Sequence, residues 1–238
     1  MNELILALSV IFIFGAVLAA YRLFGNRGLY AMTAVVTVLS NIEVLILVRA
    51  FGMEQTLGNI LFASTFLITD ILSENAGKKA ANKAVYIGIF ASLFFVVLSG
   101  SWLLYVPSEN DWVMPSVAAI FSNTPRMVLA SMLVYAISQL FDVWLYHKWW
   151  DFTEKKFGNR RGYLWLRNNG STMISQLINS VLFNIFAFAG MEGYTPSLLV
   201  SIIISTYVIY FVTSLLDTPA VYLARRICEK KSLSEGEN

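Results

Sequence analysis

Residues 56–80 read TLGNILFASTFLITDILSENAGKKA, an apolar run of about membrane length that ends with Asp70 and Glu74 on one helical face. An Asp at mid-helix costs roughly 2.5 to 3.5 kcal/mol to insert, so lipid-buried carboxylates are ligand-binding or coupling candidates. Glu74 and Lys78 repeat the four-residue spacing in the favourable acid-before-base order, which predicts an ion pair closing the helix.

Working outward, comparable apolar runs recur at 4–21, 29–51, 84–106, 117–147, 172–190 and 197–224. With 57% hydrophobic and 13% charged residues and a mean hydropathy of +0.65, the chain lies outside the usual range of soluble domains. The expected fold is all-α, a polytopic membrane bundle of about seven transmembrane helices. Six is the count if the third run, diluted by Asn59, Ser64, Thr65 and Thr69, does not cross. The fifth has a second candidate start after the Asn123-Thr124-Pro125 break.

Basic residues decide orientation, because cytoplasmic loops collect Lys and Arg. They follow the first run (Arg22, Arg27), the third (Lys78, Lys79, Lys83), the fifth (Lys148 through Arg167) and the seventh (Arg225, Arg226, Lys230, Lys231), while the other side has only Arg49 and Arg126. The amino terminus is therefore expected outside and the carboxyl terminus inside. Residues 1–227 are expected to form one transmembrane domain and 228–238 a cytoplasmic tail. The first run follows a leader with Glu3 and no basic residue, which argues against a cleaved signal peptide. The stretch from about 148 to 170 reads as the longest hydrophilic loop, held near the interface by Trp149, Trp150, Tyr163 and Trp165.

Several function classes find no support. A net charge of +2, with its basic residues where topology needs them, does not suggest nucleic acid as a partner. There is no Walker A loop, HExxH or G-x-S-x-G motif, and the single cysteine, Cys228, and single histidine, His147, cannot build a thiolate or His-rich metal centre. Neither an enzyme nor a cofactor or metal is expected. His147, beside Lys148 and Trp149, reads as interfacial. Any driving force must come from a gradient, a partner or trapping of the product.

Amides and carboxylates inside the apolar runs exceed what a merely stable bundle requires. Asn41, Glu43, Asn59, Asp70, Glu74, Gln139, Asp142, Gln176, Asn179, Asn184 and Asp217 all lie there. Ser138–Tyr146 and Ser175–Phe183 share the pattern S-Q-L-x-[D/N]-x-x-L-[Y/F], each placing Ser and Asp or Asn at i,i+4. On antiparallel neighbours, two such faces would supply one cavity, as transporter repeats do, or form a ligand-free hydrogen-bond clasp. Arg126 is placed either to neutralise a buried carboxylate or to snorkel to headgroups.

The segments SNIEVLILVRAFG (40–52), 56–81, TPRMVLASMLVYAISQLFDVWLYHKWW (124–150) and LRNNGSTMISQLINSVLFNIFAF (166–188) resemble the queuosine precursor transporters of the vitamin uptake transporter type. The resemblance covers nearly the whole chain after the first run. It implies a multi-pass importer in the bacterial inner membrane for 7-deazaguanine compounds: the cyano- or aminomethyl precursors, or queuine. A guanine-like edge offers N–H donors to a carboxylate and a carbonyl to Gln or Asn, and Phe62, Phe66, Phe141 and Trp144 are candidates to stack on the ring. The expected substrate-binding set is Asn41, Asp70, Glu74, Arg126, Gln139, Asp142, Gln176 and Asn179. Asn179 departs from the Asp common in the family, which would favour a neutral ligand over the cationic aminomethyl compound. The alternative is a substrate-binding subunit of an energy-coupling ABC importer; coupling subunits and a homo-oligomer both stay open.

Overall fold

In the computed structural model the described residues are 1–121, 125–190, 193 and 195–236, and the side chains at 54, 125–128 and 231–236 lie outside the description. Among them eight helices and one hairpin follow in the order α1 (Asn2–Phe24), α2 (Asn26–Glu43), β1 (Leu47–Ala50), β2 (Met53–Thr56), α3 (Gly58–Ala76), α4 (Lys78–Trp102), α5 (Met114–Phe121), α6 (Pro125–Phe157), α7 (Leu164–Phe188) and α8 (Pro196–Gly236). This is an all-α membrane bundle. By length and composition α1, α4, α6, α7 and α8 can each cross a bilayer.

Of the remaining two long helices, α2 and α3, α3 is surrounded by protein. On α3 every residue from Gly58 to Ser73 except the partly buried Phe62 is buried, and the helix packs against α1, α2, α4, α6 and α8. A helix surrounded by other helices can carry Asn59, Ser64, Thr65 and Thr69 without exposing them to lipid. The hydropathy that weakens the third run thus marks the centre of the bundle.

The apolar run at 29–51 is not one helix. α2 stops at Glu43, and Leu47–Ala50 pairs antiparallel with Met53–Thr56, Leu47 opposite Thr56 and Ala50 opposite Met53. The turn residues Phe51 and Gly52 both take positive φ (52° and 73°), which suits the twist of a two-residue hairpin. The amino terminus is tied to this hairpin: Asn2 Nδ2 donates to Arg49 O at 2.8 Å and Phe51 N to Glu3 Oε1 at 3.2 Å.

Gly77 alone separates α3 from α4, at φ +82°, a conformation that favours glycine. The helix break puts Glu74 and Lys78 on different helices, so the expected i,i+4 pair does not form. α6 begins at Pro125, and the preceding residues 114–121 form the separate α5. α6 and α7 extend to Phe157 and back to Leu164, so most of the expected 148–170 loop is helical. Backbone helix in α8 continues past residue 228 without a break.

Candidate transport path

At the hairpin end, a cleft with room for water over about 570 Å³ is lined by Arg49, Gln55, Asn59, Phe183, Asn184 and Thr206, among others. Asn59 and Phe183 also line a deeper, tighter cavity with Ser40, Phe62, Asn179 and Tyr210, where about 20 Å³ accommodates water centres. That is space for about one water. Phe62 sits among rings, 5.7 Å from Phe66, 6.0 Å from Tyr135 and 6.1 Å from Tyr210. Asn59 Oδ1 accepts from Tyr210 Oη at 3.2 Å and Thr56 Oγ1 at 3.1 Å, while its Nδ2 has no protein acceptor. An aromatic wall beside an unengaged amide donor suits a flat heterocycle with a carbonyl edge, for which this closed cavity must first widen.

Other amides tie helices together. Asn41 donates to Thr37 O at 2.9 Å and Ser92 Oγ at 3.2 Å and accepts from Ser131 Oγ at 3.1 Å, linking α2, α4 and α6. Gln139 of α6 donates to Thr65 Oγ1 and accepts from Thr69 Oγ1 at 3.1 Å, pinning α3. The two S-Q-L repeats meet reciprocally: Ser138 of α6 reaches Asn179 Oδ1 at 3.4 Å, and Ser175 of α7 lies beside Asp142. Antiparallel helices carrying the same motif place each serine against the other's Asp or Asn.

Below this lies an acidic layer. Asp70, Asp142 and Asp217 are fully buried or nearly so. Thr172 Oγ1 donates to Asp70 Oδ2 at 3.0 Å and Asn168 Nδ2 to Asp217 Oδ1 at 2.7 Å. Asp142 accepts no well-formed hydrogen bond, because the neighbouring Ser171 and Ser175 hydroxyls donate to the backbone oxygens of Arg167, Asn168 and Ser171.

The far end is sealed by an ion pair. Arg167, whose side chain is 0% exposed, donates through Nε to Glu74 Oε2 at 2.9 Å and through Nη2 to Oε1 at 2.7 Å. Its Nη1 donates to Gly162 O at 2.6 Å, and its guanidinium lies 4.3 Å from the Trp150 ring centre. Tyr146 Oη donates to Glu74 Oε2 at 2.7 Å, and Arg225 stands 3.6 Å from Glu74 Oε1. Beyond is a second cleft with room for water over about 460 Å³, lined by Glu74, His147, Arg160, Arg161, Arg225 and Cys228, among others.

A family model described as a putative vitamin uptake transporter matches residues 56–224, from the hairpin through most of α8. The chain belongs to the vitamin uptake transporter family. A relative from Bacillus subtilis (strain 168), described as a probable queuosine precursor transporter, is 36% identical over 211 residues, 89% of each chain. No solved structure matches.

In this vitamin uptake transporter, five of the eight expected residues fall into three groups. Asn179 lines the tight cavity; Asp70 and Asp142 come together in the acidic layer; and Asn41 and Gln139 are committed to neighbouring helices. Gln176 is buried with neither amide atom bonded to protein. Glu74 is bound to Arg167, and the side chain of Arg126 lies outside the described residues. Of the four aromatics, Phe62 lines the cavity and Phe66 backs it, whereas Trp144, 43% exposed, faces outward with Phe141 against it.

Sequence reasoning missed Arg167, counting it among loop cations. It also misses Asn168 and Thr172, which fall ahead of or at the start of the sixth apolar run. The signal was present in LRNNGST: polar residues at helical spacing continuous with the apolar run extend α7 backward. Tyr210, a cavity ring on α8, had no distinguishing neighbour in sequence.

Proposed function

We propose that this protein imports 7-deazaguanine precursors of queuosine across the bacterial plasma membrane. The observation that carries the reading is the 36% identity, over 89% of both chains, to the relative described as a probable queuosine precursor transporter. In this reading α1, α2, α3, α4, α6, α7 and α8 are seven spans, with the amino terminus outside and the carboxyl terminus inside. Residues 1–227 act as one transmembrane domain and 228–238 as a cytoplasmic tail.

The geometry supports the reading in its details. Phe62 and Tyr210 offer faces to a flat ring, Asn59 Nδ2 offers a donor to a carbonyl, and Asn179 an amide to the purine-like edge. The hairpin-side cleft leads toward this cavity, while the Glu74–Arg167 pair closes the opposite end. Alternating exposure of the cavity would then proceed by opening that pair as the hairpin side closes. Asp70, Asp142, Gln139, Gln176 and Asn41 support the site from the layers around it, and Glu74 acts at its far end; Arg126, at the start of α6, stays a candidate.

The test is uptake of labelled 7-cyano-7-deazaguanine by a bacterial host lacking precursor synthesis and its own carrier, with queuosine in tRNA as the readout. Expression of this chain alone is expected to restore both. Dependence on added ATPase and coupling subunits would instead make it a binding subunit of an energy-coupling importer. The cavity's uncharged lining predicts preference for the cyano over the aminomethyl compound, and Asn179→Asp is expected to shift that preference toward the cation. An unchanged ratio would remove Asn179 from substrate recognition.

A further inference from the structure

The acidic layer carries more negative charge than its surroundings neutralise. Arg167 and Arg225, the cations on the side of Glu74, are engaged with that carboxylate. Asp70 therefore faces Asp142 from α6 and Asp217 from α8, with Thr172 its hydroxyl donor from α7. Tyr146 on α6 is bonded to Glu74 one turn away. Uncompensated carboxylates in a dry interior are expensive.

Independent of the carboxylates, nearby neutral side chains also present unused oxygens. Asn168 Oδ1 accepts nothing from protein although its amide donates to Asp217, and Gln176, 1% exposed, has neither amide atom bonded. Gln176 lies one helical turn beyond Thr172, on the α7 face that meets Asp70. With Asp70 Oδ1 and both oxygens of Asp142, acceptors without donors predominate, and an excess of acceptors calls for a cation. Among the described residues no three acidic, histidine or cysteine groups converge as on a metal ion; a pair of facing carboxylates with neutral amide oxygens suits a singly charged complement.

We propose that Asp142 and Asp70, with Asn168 and Gln176, form a binding site for a small monovalent cation, a proton or Na⁺, whose passage drives transport. The coupling role rests on the transport reading above; the site itself does not. Binding would neutralise the layer and let α3, α6, α7 and α8 close over it, and release toward the cytoplasm would follow opening of the Glu74–Arg167 pair.

The purified full chain in detergent is melted as pH is lowered at fixed Na⁺, and as NaCl replaces choline chloride at fixed pH. A rise in Tm of several degrees with one of the two ions, abolished in Asp142→Asn, is expected. An equal response in wild type and variant, or none to either ion, overturns the site. Should Asp142→Asn fail to fold, infrared difference spectra of the wild type must show a carboxyl band that appears on acidification or a carboxylate shift with Na⁺; absence of both overturns it equally.

In proteoliposomes, accumulation of 7-cyano-7-deazaguanine under an inward proton gradient without Na⁺, or under a Na⁺ gradient at equal pH, separates the two ions. Equilibration indifferent to both gradients overturns coupling while leaving the transport reading intact. A cation response without any uptake overturns the transport reading and leaves the site.

Discussion

Arg167 combines full burial with a permanent charge, and its neighbours account for how the bundle tolerates it. Two donors on Glu74, one on Gly162 O and a Trp150 face use the guanidinium on several sides. Removing one partner of a buried pair typically costs about 3–5 kcal/mol, because the remaining charge is stranded. The two partners are not equivalent here, since Arg225 also approaches Glu74. Glu74→Gln is thus expected to lower Tm more than Arg167→Gln, and the double variant to recover part of the loss, measured by thermal melts of detergent-purified protein. Additive losses in the double variant would show that the pair is not coupled. Arg167 itself was invisible at this scale in the sequence, where a basic residue after an apolar run reads as a topology marker.

Between elements, α4 and α6 approach each other through Gly88. A Cβ there would meet Tyr135 Oη and lie 2.6 Å from its Cζ, and Tyr135 is 2% exposed with its ring edge against Phe62. The ring has little room to retreat, so Gly88→Ala is expected to destabilise by about 1–3 kcal/mol through overpacking. A lower Tm checks this, and Tyr135→Phe in the same background should relieve part of it. The S-Q-L repeat was legible as a repeat, and its reciprocal meeting followed from antiparallel neighbours. The hairpin was not legible, because Leu47–Ala50 continues the apolar pattern of α2 and only the return at Phe51–Gly52, fixed by positive φ, breaks it.

Across the whole molecule, the elements sort to two ends. The amino terminus joins the hairpin, and Gly77 shares the opposite cleft with Arg160, Arg161 and Cys228. Cys228, the sole cysteine, is a native reporter of orientation. A membrane-impermeant thiol reagent is expected to modify it in inverted vesicles and not in intact cells, with a permeant reagent as control; labelling from outside would reverse the proposed topology.

The sequence by itself determined the solvent. An apolar content this high, in runs of membrane length, requires a helical bundle in lipid, and the motif-bearing runs carried the family resemblance. It also named Asp70, Asp142 and Asn179, because a polar group in an apolar run is costly wherever the run lies. Only the tertiary structure decided which polar groups are spent on holding helices together and which are left to act. Asn41 and Gln139 are bonded across helices, Asp142 and Gln176 are not. That division depends on which faces of α3, α6, α7 and α8 meet, and contacts between residues so far apart in the chain are set by packing rather than by local pattern.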